Sequence, residues 1–124
     1  TVMDLMPTFL ALAGTQHPGT LYRDQEILPI TSKSLLPILE GEASEVHDES
    51  EVIGWEIHGY DVRAIRQGDW KVVWDQDYEG PMLFDLSENN LERSDLANEL
   101  PQKLEEMVKL WDQYVEDNDV IYQQ

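Results

Sequence analysis

Residues 54–74 read Gly-Trp-Glu-Ile-His-Gly-Tyr-Asp-Val-Arg-Ala-Ile-Arg-Gln-Gly-Asp-Trp-Lys-Val-Val-Trp. Aromatic and β-branched residues are dense in this stretch and follow the two-residue period of β-strands. The pair Gln67-Gly68 fits a two-residue hairpin loop, which would place Arg66 opposite Asp69. The stretch therefore predicts an antiparallel hairpin.

The same period extends to both sides of this hairpin. The strand-like runs are residues 52–58, 60–66, 70–74 and 82–86, separated by turn residues. We therefore expect four antiparallel strands. Both faces of the hairpin carry apolar side chains, so the face that the helices cover stays open.

Helical patterns lie on either side of these strands. Residues 4–13, with Asp4 as a candidate N-cap, and residues 34–40 predict short helices. Pro101 opens a longer amphipathic helix whose apolar stripe contains Leu104, Met107, Val108, Trp111 and Val115. Residues 15–31 predict a surface loop, and residues 40–51 predict a solvated acidic linker.

These elements predict an α+β fold. We expect a four-stranded antiparallel sheet with helices packed mainly on one face and an amphipathic helix at the C-terminal end. A chain of 124 residues that is 41% apolar can close one core, so residues 1–124 are expected to form a single domain.

Charge and composition exclude several classes of partner and site. Twenty-six acidic and 8 basic residues give a net charge of −18, which disfavours binding to nucleic acid or to an anionic membrane. No cysteine is present, so disulfides, thiolate metal sites and a cysteine nucleophile are excluded within this chain. No apolar run is long enough for a membrane span. The chain begins without Met and runs directly into a helix, as expected for a piece of a longer protein.

The sequence contains no recognisable catalytic constellation. The three histidines are far apart and lack metal-ligand spacing, so we expect neither catalytic residues nor a metal site within this chain. One cluster is still a candidate for contact with a substrate: Trp55, Glu56 and His58 at a strand end, with Arg63 close behind. For each of these residues, packing within the fold is the simpler interpretation.

Several segments together resemble one protein family. They are Gly54-Trp55-Glu56, the run from Arg63 to Lys71 (Arg-Ala-Ile-Arg-Gln-Gly-Asp-Trp-Lys), Leu83-Phe84-Asp85-Leu86-Ser87, Glu92, and Asp95-Leu96-Ala97. The opening residues 2–8 and Leu12-Ala13-Gly14 fit the helix that precedes them. In this order they resemble the C-terminal subdomain of bacterial arylsulfatases, which are formylglycine-dependent sulfatases of the alkaline-phosphatase-like superfamily. One departure is Asn89-Asn90-Leu91-Glu92, where the family usually has Asp-Pro-Gly-Glu.

The resemblance implies a sulfuric ester hydrolase whose chemistry lies upstream of Thr1. There, a Cys/Ser-x-Pro-x-Arg motif would supply formylglycine, and Asp and Asn residues would hold calcium. This chain would pack on its own N-terminal catalytic domain, help to shape the cleft for an aryl or other sulfate ester, and be inactive alone. The family also suggests a periplasmic or secreted location. A related phosphodiesterase or phosphonate hydrolase, and a free-standing acidic interaction module, remain as alternatives.

Overall fold

The computed structural model describes residues 1–57, 62–87 and 91–121. The chain divides into two compact units, Thr1–Asp48 and Glu49–Gln124. Their boundary falls within the acidic segment that was expected to be a linker. The prediction that residues 1–124 form a single domain is not decided by this division and stays a prediction.

The unit Thr1–Asp48 contains two helices and one short hairpin. A 3₁₀ turn at Val2–Asp4 leads into helix α1, Leu5–Leu12, and helix α2 spans Leu36–Leu39. Both helices were predicted, although each is shorter than expected. Strands β1 (Leu21–Tyr22) and β2 (Gln25–Glu26) form an antiparallel hairpin inside the segment that was predicted to be an irregular loop.

The missed hairpin has an unusual turn. Its two loop residues, Arg23 and Asp24, both have positive φ, at 51° and 63°. A two-residue turn with both central residues in this region normally favours Gly or Asn. Arg23 does not carry that signal, which explains why the sequence did not reveal the hairpin.

The unit Glu49–Gln124 is built on the predicted four-stranded sheet. Its strands are β3 (Val52–Ile57), β4 (Val62–Gln67), β5 (Trp70–Trp74) and β6 (Met82–Asp85), all antiparallel and in the order β3-β4-β5-β6. The predicted ends of the first and second strands at positions 58, 60 and 61 lie outside the described residues. The meander itself is confirmed.

The predicted register of the central hairpin is wrong. Gln67 pairs with Trp70 and Arg66 with Lys71, so the loop residues are Gly68 and Asp69. Gly68 has a φ of 55°, the positive value that a tight hairpin turn requires at its first loop position. Glycine therefore occupies the first loop position instead of the second, and Arg66 does not face Asp69.

Helix α3, Pro101–Asp117, covers one face of this sheet. Ile65, Val72 and Leu83 form a single cross-strand row on that face, and all three are fully buried. Met107 and Trp111 of α3 pack on them to complete the core. The structure thus identifies the covered face and confirms Pro101 as the start of the helix and its apolar stripe as core-facing.

Gly54 extends the same row into β3, opposite Ile65. A Cβ at Gly54 would lie 2.5 Å from Cε1 of Tyr114, and the Tyr114 hydroxyl donates a 3.0 Å hydrogen bond to the Gly54 carbonyl. The tyrosine ring therefore lies directly on the strand backbone. A side chain at position 54 would occupy the space that α3 uses to approach β3.

Candidate functional site

Trp55 lies on the sheet face opposite α3. Successive residues of a strand point to opposite faces, and the neighbours of Gly54 therefore point away from the core row. The Trp55 indole is 38% exposed, and the Lys71 ammonium lies 4.9 Å from its ring centroid. Lys71 also forms an ion pair with Glu92. This arrangement combines a partly exposed aromatic ring with a cation and its carboxylate partner.

Glu56 lies on the other face of β3, where it is paired in register with Arg63 of β4. The Arg63 guanidinium lies over two indoles of the core side, 5.1 Å from the Trp74 ring and 5.8 Å from the Trp111 ring. Arg63 therefore contributes to packing between the sheet and α3. Its cation–π contacts agree with the structural interpretation of this arginine.

Of the three residues that the sequence proposed for substrate contact, the structure describes Trp55 and Glu56. Trp55 and Glu56 project from opposite faces of one strand and are not brought together by it. His58 lies outside the described residues. Contact of Trp55, Glu56 or His58 with a substrate stays a prediction, and Trp55 is the one with a described exposed aromatic surface.

Sequence reasoning missed a buried polar cluster in the unit Thr1–Asp48, formed by Asp4, Thr8 and His47. The Asp4 side chain is fully buried, and its Oδ2 lies 3.0 Å from His47 Nε2. The Thr8 hydroxyl donates to the Asp4 carbonyl over 2.6 Å and accepts from the Leu35 N–H over 2.8 Å. These bonds tie α1 to the start of α2 and to the acidic segment.

The environment of Asp4 lowers its pKa. Burial alone raises the pKa of this carboxyl, but in a polypeptide that begins at Thr1 the hydrogen bonds from the Thr1 ammonium, His47 and the Lys33 N–H outweigh burial and bring the pKa to about 2. Asp4 is therefore ionised at neutral pH and acts as an acceptor. Asp4 does occupy the N-cap position of α1, as predicted, but its carboxylate forms no capping hydrogen bond to α1 and instead accepts one from the Lys33 N–H.

A surface depression of about 330 Å³ lies beside the β5–β6 turn. Its lining includes Tyr78, Met82, Asp95 and Leu104. Oδ1 of Asp95 accepts hydrogen bonds from the N–H groups of Leu83 and Ala97, both over 2.9 Å. Asp95 therefore holds the segment before α3 against β6, and this role accounts for its position in the depression.

The described residues do not form a metal site or a membrane span. No group of three or more His, Cys, Asp or Glu side chains within residues 1–57, 62–87 and 91–121 could hold a metal ion. Over the same residues, no helix has the length and apolar character needed to cross a bilayer. The chemistry that these residues offer is packing, hydrogen bonding and the partly exposed Trp55 ring beside Lys71.

The curated proteins that are similar to this chain are sulfatases. No family model matches the chain. The chain is 31% identical over 128 residues to an uncharacterized sulfatase of Schizosaccharomyces pombe, a match that covers 98% of this chain and 22% of that protein. It is 32% identical over 120 residues to arylsulfatase K of Xenopus laevis, covering 88% of this chain and 21% of that one. The chain thus spans about a fifth of the curated relatives that it matches.

Solved structures agree with the curated relatives. A candidate sulfatase from Bacteroides thetaiotaomicron superposes with a TM-score of 0.63 at 27% identity, over 92% of this chain and 24% of that one. A 2-O GAG sulfatase gives a TM-score of 0.60, also at 27% identity and with the same coverage. A phosphonate monoester hydrolase from Silicibacter pomeroyi, at 22% identity and a TM-score of 0.52, shares the fold alone.

A bacterial origin is not confirmed, because the two curated relatives come from Schizosaccharomyces pombe and Xenopus laevis. The solved neighbours also confirm the α+β fold with its antiparallel sheet and C-terminal helix. By sequence and by structure the chain is therefore a homologue of the sulfatases, and the small share of their length that it matches is consistent with a C-terminal sulfatase subdomain.

Proposed function

We propose that this chain is the C-terminal part of an arylsulfatase-like sulfuric ester hydrolase, in which it packs on an N-terminal catalytic domain and helps to shape the substrate cleft. The observation that carries the proposal is the match of 98% of the chain to a sulfatase at 31% identity. The sheet and α3 supply a well-packed support for such a role, because their core residues are fully buried.

Formylglycine and calcium belong to the proposed catalytic domain and not to this chain. The sequence has no cysteine and lacks the Cys/Ser-x-Pro-x-Arg motif, and the described side chains form no group that could bind a metal. The residues present therefore do not fit either group. We assign this chain no step of the chemistry and expect it to be inactive alone.

Of the residues predicted to contact substrate, Trp55 has the strongest support. Its exposed indole could stack on an aryl or sugar ring, and the nearby Lys71 ammonium could pair with an ester sulfate. Glu92 neutralises Lys71 until an anion competes for it. Glu56 and His58 are kept as proposed contacts from their sequence position.

Activity assays test the main proposal directly. The 124-residue polypeptide should not hydrolyse an aryl sulfate in the presence of calcium, whereas a sulfatase-length polypeptide that contains it should. Measurable turnover by the 124-residue polypeptide, repeated after complete purification, would show that the chemistry does not lie upstream.

Substitution of Trp55 tests its proposed contact. In the sulfatase-length enzyme, Trp55→Ala should raise KM for aryl sulfates, and Tm is measured alongside because the indole is only 38% exposed and its truncation also removes packing. Ile57→Ala is a matched control, since Ile57 is half exposed on the same face of β3. His58→Ala should change the preference among aryl sulfates. Unchanged kinetics for Trp55→Ala and His58→Ala over several substrates would remove both residues from the cleft.

A phosphonate or phosphodiester substrate is a second candidate, favoured by the fold shared with the phosphonate monoester hydrolase. Comparing kcat/KM for matched aryl sulfate and aryl phosphonate esters would decide between the two.

We also propose a periplasmic or secreted location from the family resemblance. Fractionation that recovers the active protein from the cytosol would contradict it.

A further inference from the structure

Helix α1 carries an exposed apolar stripe formed by Leu5, Met6, Phe9 and Leu12. These side chains are 43%, 59%, 60% and 60% exposed. At 3.6 residues per turn the four positions fall within an arc of about 120°. Asp4 and Thr8, which are buried, lie beside this arc. The α1 stripe is therefore a continuous apolar surface on one side of the helix.

The unit that carries the α1 stripe has no hydrophobic core of its own. All of residues 1–48 are described, and the buried residues among them are the polar Asp4 and Thr8. The buried apolar side chains, from Ala64 to Trp111, lie in the unit Glu49–Gln124. A unit of 48 residues without buried apolar side chains cannot offset the conformational entropy lost on folding, so it needs a surface to cover it.

We infer that the α1 stripe is the surface through which this unit docks on the remainder of a sulfatase-length chain. This inference rests on the proposed function. The match to the Schizosaccharomyces pombe sulfatase covers 22% of that protein, which leaves 78% of it outside the match. A covalently tethered partner of that size reaches the stripe at a high effective concentration.

A second copy of the chain fits the α1 stripe less well. A buried aromatic side chain covers roughly 150–250 Å², and leucine and methionine cover somewhat less, so four partly exposed side chains offer no more than about 500 Å². A stable protein interface buries about 800 Å² on each partner. The stripe is therefore too small to hold two separate chains together, but it is large enough to contribute to a tethered domain interface.

Thermal unfolding of two polypeptides tests the inference. In the sulfatase-length protein, Phe9→Gln should lower the Tm by about 3 °C, because the substitution places a polar amide in an apolar interface. In the 124-residue polypeptide the same substitution should shift the Tm by less than about 2 °C, because Phe9 is exposed there. Tyr78→Gln is the matched control, since Tyr78 is also 60% exposed but lies in the β5–β6 turn. It should leave both Tm values nearly unchanged.

The outcomes separate this inference from the proposed function. Equal Tm shifts in the two polypeptides, or no shift in the longer one, would overturn docking through the α1 stripe whatever the substrate is. A dimer of the 124-residue polypeptide that Phe9→Gln makes monomeric would also overturn it in favour of a second copy. Loss of folding of the longer Phe9→Gln protein while Tyr78→Gln folds supports docking, and Phe9→Leu should then restore folding. Sulfatase activity of the unmodified longer protein tests the proposed function independently.

Discussion

Gly54→Ala should destabilise the chain by forcing Tyr114 away from β3. The added methyl group would lie 2.5–2.8 Å from three atoms of the Tyr114 ring, whereas carbon atoms in contact prefer about 3.5–4.0 Å. The ring would have to move by about 1 Å. That movement is restricted, because the Tyr114 hydroxyl donates a hydrogen bond to the Gly54 carbonyl and the Tyr114 ring stacks on Trp111 at a centroid distance of 6.0 Å.

The expected loss is the balance of three effects. Overpacking costs about 1–3 kcal/mol, and loss of the tyrosine hydrogen bond adds about 0.5–1.5 kcal/mol if the ring is displaced. Against this, replacing glycine by alanine stabilises by about 0.4–1 kcal/mol through the unfolded chain. Gly54 does not have a positive φ, so the substitution adds no backbone strain. The net destabilisation should be about 1–3 kcal/mol.

Urea unfolding followed by tryptophan fluorescence measures this loss, since Trp111 and Trp74 pack at the interface between sheet and helix. The control is the same substitution in a Tyr114→Ala background, where the added methyl group meets no ring. There Gly54→Ala should be neutral or slightly stabilising, which gives a coupling energy of at least about 1 kcal/mol. If Gly54→Ala is equally costly in both backgrounds, the close approach of Tyr114 is not the reason for glycine at this position.

Three further outcomes follow from the described contacts. Met107→Ala should cost about 2–5 kcal/mol in urea unfolding, because Met107 is fully buried against the sheet, whereas the exposed Glu106→Ala should change stability by less than about 0.5 kcal/mol. In the 124-residue polypeptide with a free Thr1 ammonium, Asp4 has a folded pKa of about 2, below its unfolded value, so about 2 kcal/mol of stability should be present above pH 4 and be lost as the pH falls to about 2. Urea midpoints measured over this range should show that loss in the unmodified chain but not in Asp4→Asn. Lys71→Met should cost less than about 1 kcal/mol and reduce the salt dependence of unfolding, and an unchanged salt dependence would show that the pair with Glu92 contributes nothing.

Local periodicity in the sequence predicted most of the sheet and of α3. The four strands and the apolar stripe around Met107 and Trp111 each follow from a pattern within about 17 residues. The register at Gly68 was not predicted correctly, because a glycine can take either loop position of a two-residue turn and only the positive φ decides between them. Sequence also left the covered face open, since both faces of β4 and β5 carry apolar residues.

The features that sequence missed are contacts between side chains far apart in the chain. Asp4 meets His47 across 43 positions, and Tyr114 meets Gly54 across 60. No periodic pattern relates residues at such separations. The family resemblance included Gly54 and Asp4 within its motifs but gave no physical reason for either. The structure supplies one for each: close approach of a helix at Gly54, and a buried acceptor at Asp4.

Strands β3, β4 and β5 combine the two roles proposed for the chain on opposite faces of one sheet. On the α3 face, Ile65 and Val72 are fully buried and Gly54 admits Tyr114, so substitutions there change stability first. On the other face, Trp55 and Lys71 make a contact that is partly open to solvent, so substitutions there can change recognition with a smaller effect on folding. Strand alternation keeps the two sets apart. Among homologous sulfatases, the residue at position 55 could therefore differ according to the substrate. Position 54, one residue earlier, should remain glycine because α3 approaches the strand there.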